Sequence, residues 1–497
     1  MTEDDRRSIK RLPAALTAGL GAMLLAACVA GAGSSTGQAQ GASGSAGRFD
    51  QAPSVRAPSC VEPTKEPEDL RPTTLGTIEQ AYRCLFEHYY GGAKLDDRTL
   101  LNAAFSGLVH ELDRRGRTVP DAMAPPLTGN READWAAFAA VYRRIDDAVH
   151  GEAALRQALA EAALRGMVGA LHDNHAKWQR VLMPPGAAPD KQYGLGFVTT
   201  PFAGLVRSAP WQAVPPLYVT SISGGPAAQA GLRPGDVIEA VNGAPPFAGG
   251  VLSTGAVDAL FSDAPGETPV RLTMRRPSTG RTWTVTLKSA SFPENPDSTR
   301  AVTSRLVDKH VAYVRLLGFR DGAADETFAA IARMRESGKL RGVVVDLRGN
   351  RGGSPDEVTR LLGGWVHGKV TAYQCDVNGA CETNPTDDGV ALVNLPLTVL
   401  TDGDCASACD HFTSAVKDLR AGVLVGTRTA GVVSGPARPY LLDDNSALFL
   451  PERHHLGPRR EVVDGSGTAP DHYVRLTAED VSAGRDPVLA EALRLLP

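Results

Sequence analysis

The sequence predicts an α/β chain in which a helical segment comes first, a strand-and-turn module follows, and strands then alternate with helices to the end. Three observations carry this expectation. Ile78, Ala81, Tyr82 and Leu85 recur at i, i+3, i+4 and i+7, and Leu155, Leu159, Ala163, Met167 and Leu171 share a second helical face. The stretch from about Glu66 to Met183 therefore reads as helical. From about Gln192 to Phe292 short β-rich runs are broken by turn residues. Beyond Phe292 short apolar runs separate amphipathic stretches, the pattern of a sheet covered by helices.

The elements follow in order. Within the helical segment, Ala104-x-x-Gly107-Leu108-Val109-x-x-Leu112 is echoed by Ala163-x-x-Gly166-Met167-Val168-x-x-Leu171. Two copies are too few for a solenoid and are compatible with simple helix packing. In the module, Leu217 to Ile222 reads as a strand and Ala227 to Leu232 as a short helix capped by Gly231. Asp236 to Val241 is a strand ending in an Asn242-Gly243 turn, and Val270 to Met274 pairs in pattern with Trp283 to Leu287. In the last third, Val311 to Leu317, Val343 to Val345, Pro396 to Thr401 and Val423 to Gly426 read as strands. Ala324 to Glu336, His411 to Leu419 and Asp486 to Leu496 read as helices.

At 497 residues the chain exceeds one compact core, so two or three domains are expected. Its 52 basic and 56 acidic residues give a net charge of −4 with no basic stripe, which argues against a nucleic-acid partner. The first residues are read as a signal peptide. Arg6, Arg7, Lys10 and Arg11 precede an apolar run from Leu12 to Ala27 that is too short for a span. Leu25-Ala26-Ala27-Cys28 resembles a bacterial lipobox, which implies cleavage before Cys28 and lipid attachment to its thiol. Val29 to about Ser59, rich in Gly, Ala, Ser and Gln, is expected to be a flexible tether. Export permits disulfides, and proximity suggests Cys60 with Cys84, Cys375 with Cys381, and Cys405 with Cys409. Buried free thiols at Cys405 and Cys409 are the alternative.

Four segments carry chemistry. Ser407, in Asp404-Cys405-Ala406-Ser407-Ala408-Cys409-Asp410, stands between a strand and a helix. There the helix dipole and free N–H groups favour a developing anion. The same spacing also describes a helix cap, with Ser407 at the N-cap and Asp410 three residues on. Val345-Asp346-Leu347-Arg348-Gly349-Asn350-Arg351-Gly352-Gly353 is a strand running into a glycine-rich turn, able to present bare N–H groups or simply to connect two elements. His172-Asp173-Asn174-His175 puts His175 just past a helix end. Its H-x-x-H spacing hints at a metal, but the zincin pattern is absent and no third ligand stands out, so no metal or cofactor is expected. Glu461 to Asp471 is an acidic, turn-rich loop.

Taken in order, these segments resemble the carboxyl-terminal-processing (tail-specific) serine protease family from about Leu75 onward. The run Leu171 to His175 matches its L-x-D-x-H pattern, Asp346 to Gly353 its D-L-R-x-N-x-G-G, Ser407 to Asp410 its S-A-x-E, and Gly467 to Asp471 its G-x-x-P-D. Gly426 to Gly431 also fits. The resemblance implies a ClpP/crotonase-like α/β protease core, an inserted PDZ domain, and Ser407 as nucleophile. The familiar Ser/Lys dyad places lysine 25 positions after serine, but that position holds Val432. The chain therefore resembles the tricorn-type Ser/His/acid branch more closely. That branch implies His175 as general base and Asp464 as the acid, with Glu461 as fallback; His411, one helical turn after Ser407, is a weaker base candidate. Oxyanion donors are expected from Ala408 and Gly353, with Gly352. By resemblance to PDZ modules, Leu195, Gly196 and Phe197 in Gly194-Leu195-Gly196-Phe197 are expected to bind peptide tails.

The expected organisation is a signal peptide at 1–27, a lipid-anchored linker at 28–65, a helical domain at 66–185, a PDZ domain at 186–292 and a protease core at 293–497. The expected function is serine endopeptidase activity on unfolded or tail-exposed polypeptides at the outer face of a bacterial cell membrane. The competing expectation is an inactive peptide- or lipophile-binding protein on the same fold, since the family also includes retinoid carriers.

Overall fold

The computed structural model describes residues 60–62, 69–120, 122–173, 175–180, 191–200, 213–261, 268–293 and 300–497. The expected signal segment, the tether and the lipidation residue Cys28 lie outside the described residues, as do residues 201–212 of the long stretch before Pro216.

The helical part comprises α1 (Leu75–His88), α2 (Asp97–Arg114), α3 (Arg131–Ala148) and α4 (Ala153–Gly169). Helix α1 starts where Thr74 and Thr77 cap each other reciprocally. The sequence echo has a packing cause. A Cβ on Gly107 would lie 2.3 Å from the Ala162 carbonyl, and one on Gly166 would lie 2.3 Å from that of Ala103. The two glycines let the α2 and α4 backbones touch, so the echo marks a helix crossing. Ile78, Leu85, Leu108, Phe138 and Met167 form the core here, and Tyr440, Leu442, Leu448 and Leu450 complete it from the far third of the chain. The packing thus crosses the division by chain order. The connection is made by strand β1 (Lys177–Gln179), which follows α4.

Strand β2 (Lys191–Gly194) opens the next module. There follow β3 (Phe197–Thr199), β4 (Val219–Ile222), α5 (Gly225–Gln229), β5 (Val237–Val241), β6 (Phe247–Ala248) and β7 (Val251–Leu252). Helix α6 (Thr254–Phe261), β8 (Val270–Arg276), β9 (Arg281–Leu287) and β10 (Ala290–Pro293) complete it. Strands β2 and β10 pair antiparallel where the chain enters and leaves. Leu195, Leu217, Val219, Ile238, Leu272 and Met274 fill the interior.

The remaining elements are β11 (Val302–Val307), β12 (Val311–Leu316), α7 (Ala323–Glu336), β13 (Gly342–Asp346), α8 (Pro355–Gly363), β14 (Val370–Cys375) and β15 (Cys381–Pro385). After them come β16 (Leu397–Thr401), α9 (Ala408–Asp418), β17 (Val423–Gly426), β18 (Ala437–Leu441), β19 (Ala447–Pro451), β20 (His454–Leu456) and β21 (His472–Tyr473). Helices α10 (Ala478–Ser482) and α11 (Pro487–Leu495) close the chain. A six-stranded sheet has the order β11-β12-β13-β16-β17-β21. Only the β11–β12 pair is antiparallel.

Alternation along β12 shows why the sheet reads as apolar runs. Ala312, Val314 and Leu316 face the cluster under α7, α8 and α9, whereas Val311 and Tyr313 face Val488, Ala492 and Leu496 of the closing segment. Both faces are covered, so both sets of positions are buried. The three cysteine pairs are disulfides: Cys60–Cys84, Cys375–Cys381 and Cys405–Cys409.

Candidate active site

Parallel pairing assembles the site. Asp346, the end of β13, lies opposite Leu400 near the end of β16, and Thr401 lies opposite Gly426 at the end of β17. Three loops therefore leave the same edge of the sheet side by side. They are the glycine turn 347–353, the Ser407 turn 402–407 and the segment 427–436. Crevices at the carboxyl ends of parallel strands are the usual ligand sites of such sheets.

Ser407 adopts φ 60°, ψ −121°, a left-sided backbone that a non-glycine residue rarely holds. Such conformations persist where the surroundings over-determine them, and they concentrate at active sites. Ser407 occupies the N-cap of α9 but makes no side-chain cap hydrogen bond. Asp410 is not a capping partner either. Its carboxylate accepts from Gly431 N at 3.1 Å, Val432 N at 3.0 Å and the Thr429 hydroxyl, so it anchors the 427–436 segment. Burial, the largest influence, pushes the Asp410 carboxyl up to about 7. The capping-box alternative is thereby set aside, and the Ser407 hydroxyl is left for other work.

The glycine turn lies directly against the serine. A Cβ on Gly352 would sit 2.6 Å from Ser407 Cβ and 2.8 Å from Ala408 N, with φ already at 97°. Asn350 is the organiser, a role not apparent from the sequence. Its Nδ2 donates to the Leu316 carbonyl at 2.9 Å, its Oδ1 accepts from Gly352 N at 2.8 Å, and its carbonyl accepts from Ala406 N at 3.0 Å. The Gly352 N–H is engaged by Asn350 and is not offered to a substrate, which corrects the expectation that it joins the oxyanion donors. Ala408 N–H, at the first position of α9, belongs to the group of helix-start donors without an intrahelical partner. Below the turn, Arg348 forms a two-sided bridge. It pairs with buried Asp346 at 2.6 Å and with Asp486 at 2.8 Å.

His175 reaches this edge through a different sheet. Strand β1 pairs with β19, which pairs with β18, so Lys177 and Pro439 both stand opposite Phe449. His175 precedes β1 by two residues, and Gly435 precedes β18 by two. Both residues thus lead into strands that flank β19, and a Cβ on Gly435 would lie 3.6 Å from the His175 ring. Asp464 grips the same segment. Its Oδ1 accepts from Val433 N and Ser434 N, each at 2.9 Å, and its Oδ2 accepts from the Ser434 hydroxyl. The carbonyl of Val432 in turn accepts the Ser407 N–H at 2.5 Å. One short segment, Val432 to Gly435, thus touches all three expected triad residues.

Among the described residues the carboxylate nearest the His175 ring is Asp173, with Oδ1 3.9 Å from Nδ1. Asp173 accepts from His175 N at 2.8 Å and from the Tyr89 hydroxyl at 3.1 Å. Burial raises its carboxyl, and the charge of Asp464 adds to the rise, so both acids act on one neighbourhood. The imidazole nearest Asp464 is that of His454, at 3.6 Å, stacked on Tyr90 with ring centres 4.8 Å apart. Asp173, Tyr89 and His454 were not assigned roles from sequence. Only Asp173 had a signal, as the acid of the L-x-D-x-H run.

Other candidates lie elsewhere. Glu461 faces the Asp418 carboxyl and accepts from Arg459 N at 2.9 Å, in a cleft with Lys417, Ala469 and Thr468. Burial, with that neighbour, raises the Glu461 carboxyl to about 7. His411 is buried, with Nε2 2.9 Å from the Thr371 hydroxyl, and burial holds its imidazole down at about 3. His411 is therefore a packed core histidine. Among the described residues the one close Cys/His/acid trio is Cys60, Glu87 and His88, and the Cys60 sulfur is already in a disulfide. His172 and His175 are not part of such a group.

In the inserted module, Gly196 adopts φ 85°, and a Cβ there would meet the Gly224 carbonyl at 2.1 Å. The Leu195 carbonyl accepts from Ala227 N at 2.9 Å. Among the described residues β3 pairs with β4 alone, so one edge of the strand after Gly194-Leu195-Gly196-Phe197 carries no partner strand. Thr200, the residue after β3, donates its hydroxyl to Asp404 at 3.3 Å, three residues before Ser407.

An α/β core thus carries a strained serine at the carboxyl edge of its sheet, with a small β-rich module inserted before it. Residues 310–474 match Peptidase family S41, and residues 218–276 match the PDZ domain. By these matches the chain is similar to the carboxyl-terminal-processing serine peptidases. It is 28% identical over 300 residues to carboxyl-terminal-processing peptidase 2, chloroplastic, of Arabidopsis thaliana, covering 58% of this chain and 53% of that one. It is 26% identical over 343 residues to the carboxy-terminal-processing protease of Bartonella bacilliformis, covering 68% and 74%. The chain thus spans about half the length of the Arabidopsis relative. The structure of mature CPAF complexed with lactacystin shares the fold, with a TM-score of 0.50 at 14% identity, covering 83% of this chain and 95% of that one.

Proposed function

We propose that this protein is an exported serine endopeptidase that hydrolyses peptide bonds of unfolded or tail-exposed polypeptides. The observation that carries the reading is Ser407, held at φ 60° with its hydroxyl unused as a helix cap. His175 takes the hydroxyl proton as Ser407 attacks the carbonyl, then returns it to the leaving amine. Asp464 stabilises the imidazolium that forms, and Asp173 adds to the same field. The N–H groups of Ala408 and Gly353 receive the oxyanion. The PDZ module binds the substrate's tail as an added strand on β3, with Leu195, Gly196 and Phe197 facing its carboxylate. Lipid on Cys28 anchors the enzyme to the outer face of the bacterial cell membrane.

The absence of the dyad lysine, Val432 standing in its place, keeps an inactive peptide- or lipophile-binding protein as the second reading. A fluorophosphonate reagent separates the two. Labelling of the parent protein and none of Ser407→Ala is the expected result. An unlabelled parent, or peptidase activity that survives Ser407→Ala, overturns the peptidase reading. Cys28→Ser is expected to move the protein from the membrane fraction to the soluble exported fraction, and retention at the membrane overturns the anchor.

A further inference from the structure

We propose that the Cys405–Cys409 disulfide is a positioning device for the nucleophile, setting the rate of attack by Ser407 while leaving peptide affinity unchanged. The proposal rests on the reading of Ser407 as the nucleophile.

The bridge spans four positions and places Ser407 at the midpoint of the loop it closes. One end lies within the turn 402–407 and the other in the first turn of α9. Both cysteines are 0% exposed and belong to the cluster under the sheet, with Leu347 and Phe412. The backbone inside the loop is tied at several points. Ala406 N donates to Asn350 O at 3.0 Å, Cys409 N to Ala406 O at 3.0 Å, and Ala430 N to Cys405 O at 2.9 Å.

A non-glycine residue held at Ser407's φ is strained and relaxes unless its surroundings forbid it. The hydrogen bonds fix the two arms of the turn, and the covalent link fixes the distance between them. With the link removed, the turn can open and Ser407 can turn toward the helical region, which carries its hydroxyl off the line of attack. A misplacement of about 1 Å at a reacting atom can cost on the order of 100-fold in rate. The other two bridges lie on α1 and on the β14–β15 hairpin, neither spans the Ser407 turn, and they serve as controls.

The test compares the full-length parent with Cys405→Ala/Cys409→Ala, with the better-filled Cys405→Ala/Cys409→Val, and with the control Cys375→Ser/Cys381→Ser. Fluorophosphonate labelling rate, kcat and KM on an unstructured fluorogenic peptide, and the thermal midpoint are measured, with kinetics well below every midpoint. Labelling and kcat are expected to fall roughly tenfold or more in both bridge variants, with KM within about twofold and the control at parental values. Bridge variants that fold and label at the parent's rate overturn the proposal. Loss of the fold in both also overturns it, because the bridge then holds the core instead of the turn. A parent that does not label points to a different failure, that of the nucleophile assignment itself.

Discussion

The Ser407 N–H donates to the Val432 carbonyl at 2.5 Å. The residue at the position where the Ser/Lys relatives carry lysine therefore contacts the serine through its main chain. Its side chain, 8% exposed, packs with Ala406 and Ala430 instead of supplying a base. Val432 N–H meanwhile donates to Asp410 at 3.0 Å. The segment after β17 is held to the serine's helix from both sides, and it carries Ser434 and Gly435 to Asp464 and His175.

Gly352→Ala tests how closely the glycine turn is fitted to the nucleophile. The new methyl would overlap Ser407 Cβ at 2.6 Å and the Ala406 carbonyl at 2.8 Å, at a φ that L residues rarely adopt. Fluorophosphonate labelling and kcat are expected to drop about 100-fold or more, with a destabilisation of roughly 1–3 kcal/mol in urea titration. Parental labelling would show that the turn yields freely.

Asp464→Asn and Glu461→Gln separate the two acids. Asp464 holds Val433, Ser434 and the edge near His175, whereas Glu461 looks toward Asp418. The first substitution is expected to lower kcat on the order of 10⁴-fold, the scale seen for a triad acid, and the second to leave it within about threefold. The reverse order in steady-state assays would reassign the acid.

Arg348→Met addresses the support beneath the turn. Asp346 is 1% exposed, and Arg348, with the Tyr313 hydroxyl at 2.6 Å, holds its carboxyl below the usual range despite burial. Removing the guanidinium leaves a buried carboxylate without its countercharge. The loss expected in urea titration at pH 7 is about 3–5 kcal/mol. A loss below about 1 kcal/mol would show that Tyr313 and the backbone suffice.

His411→Gln bears on acid stability. The folded imidazole is held at about 3 by burial, against 6.5 when unfolded. Only the unfolded chain binds this proton between those values, so stability is lost as pH falls from about 6.5 toward 3. The full effect is on the order of 5 kcal/mol. Glutamine retains a polar partner for Thr371 and cannot titrate. Relative to its own value at pH 7.5, the variant is expected to keep more stability at pH 4.5 than the parent, in denaturant titrations at both pH values. Equal losses in the two proteins would show that His411 does not titrate across unfolding.

Much of the scaffold was legible from local pattern. The strands Val343 to Val345 and Val423 to Gly426, the helix beginning near Ala324 and the Asn242-Gly243 turn follow from apolar runs and turn chemistry, which act within a few residues. The β18–β19 hairpin was not apparent. Its residues gain their meaning only against α1, α4 and β1, far away in the chain. Asp410 was read as half of a cap because a cap is the local use of an acid at that spacing. Its actual partners lie 19 to 22 positions on.

By itself the sequence determined which residue types stand at the ends of which strands: a serine before a helix, glycines after a buried strand, a histidine past a helix end. Those are properties of short segments, where backbone preference and side-chain period are written directly into neighbouring residues. Only the tertiary structure decided that Val432 to Gly435 joins Ser407, His175 and Asp464, that Asn350 takes the Gly352 N–H, and that Asp173 is the carboxylate beside the His175 ring. The reason is physical. A buried donor or acceptor must find a partner, and which one it finds depends on the strands that register and packing bring alongside, at any distance along the chain.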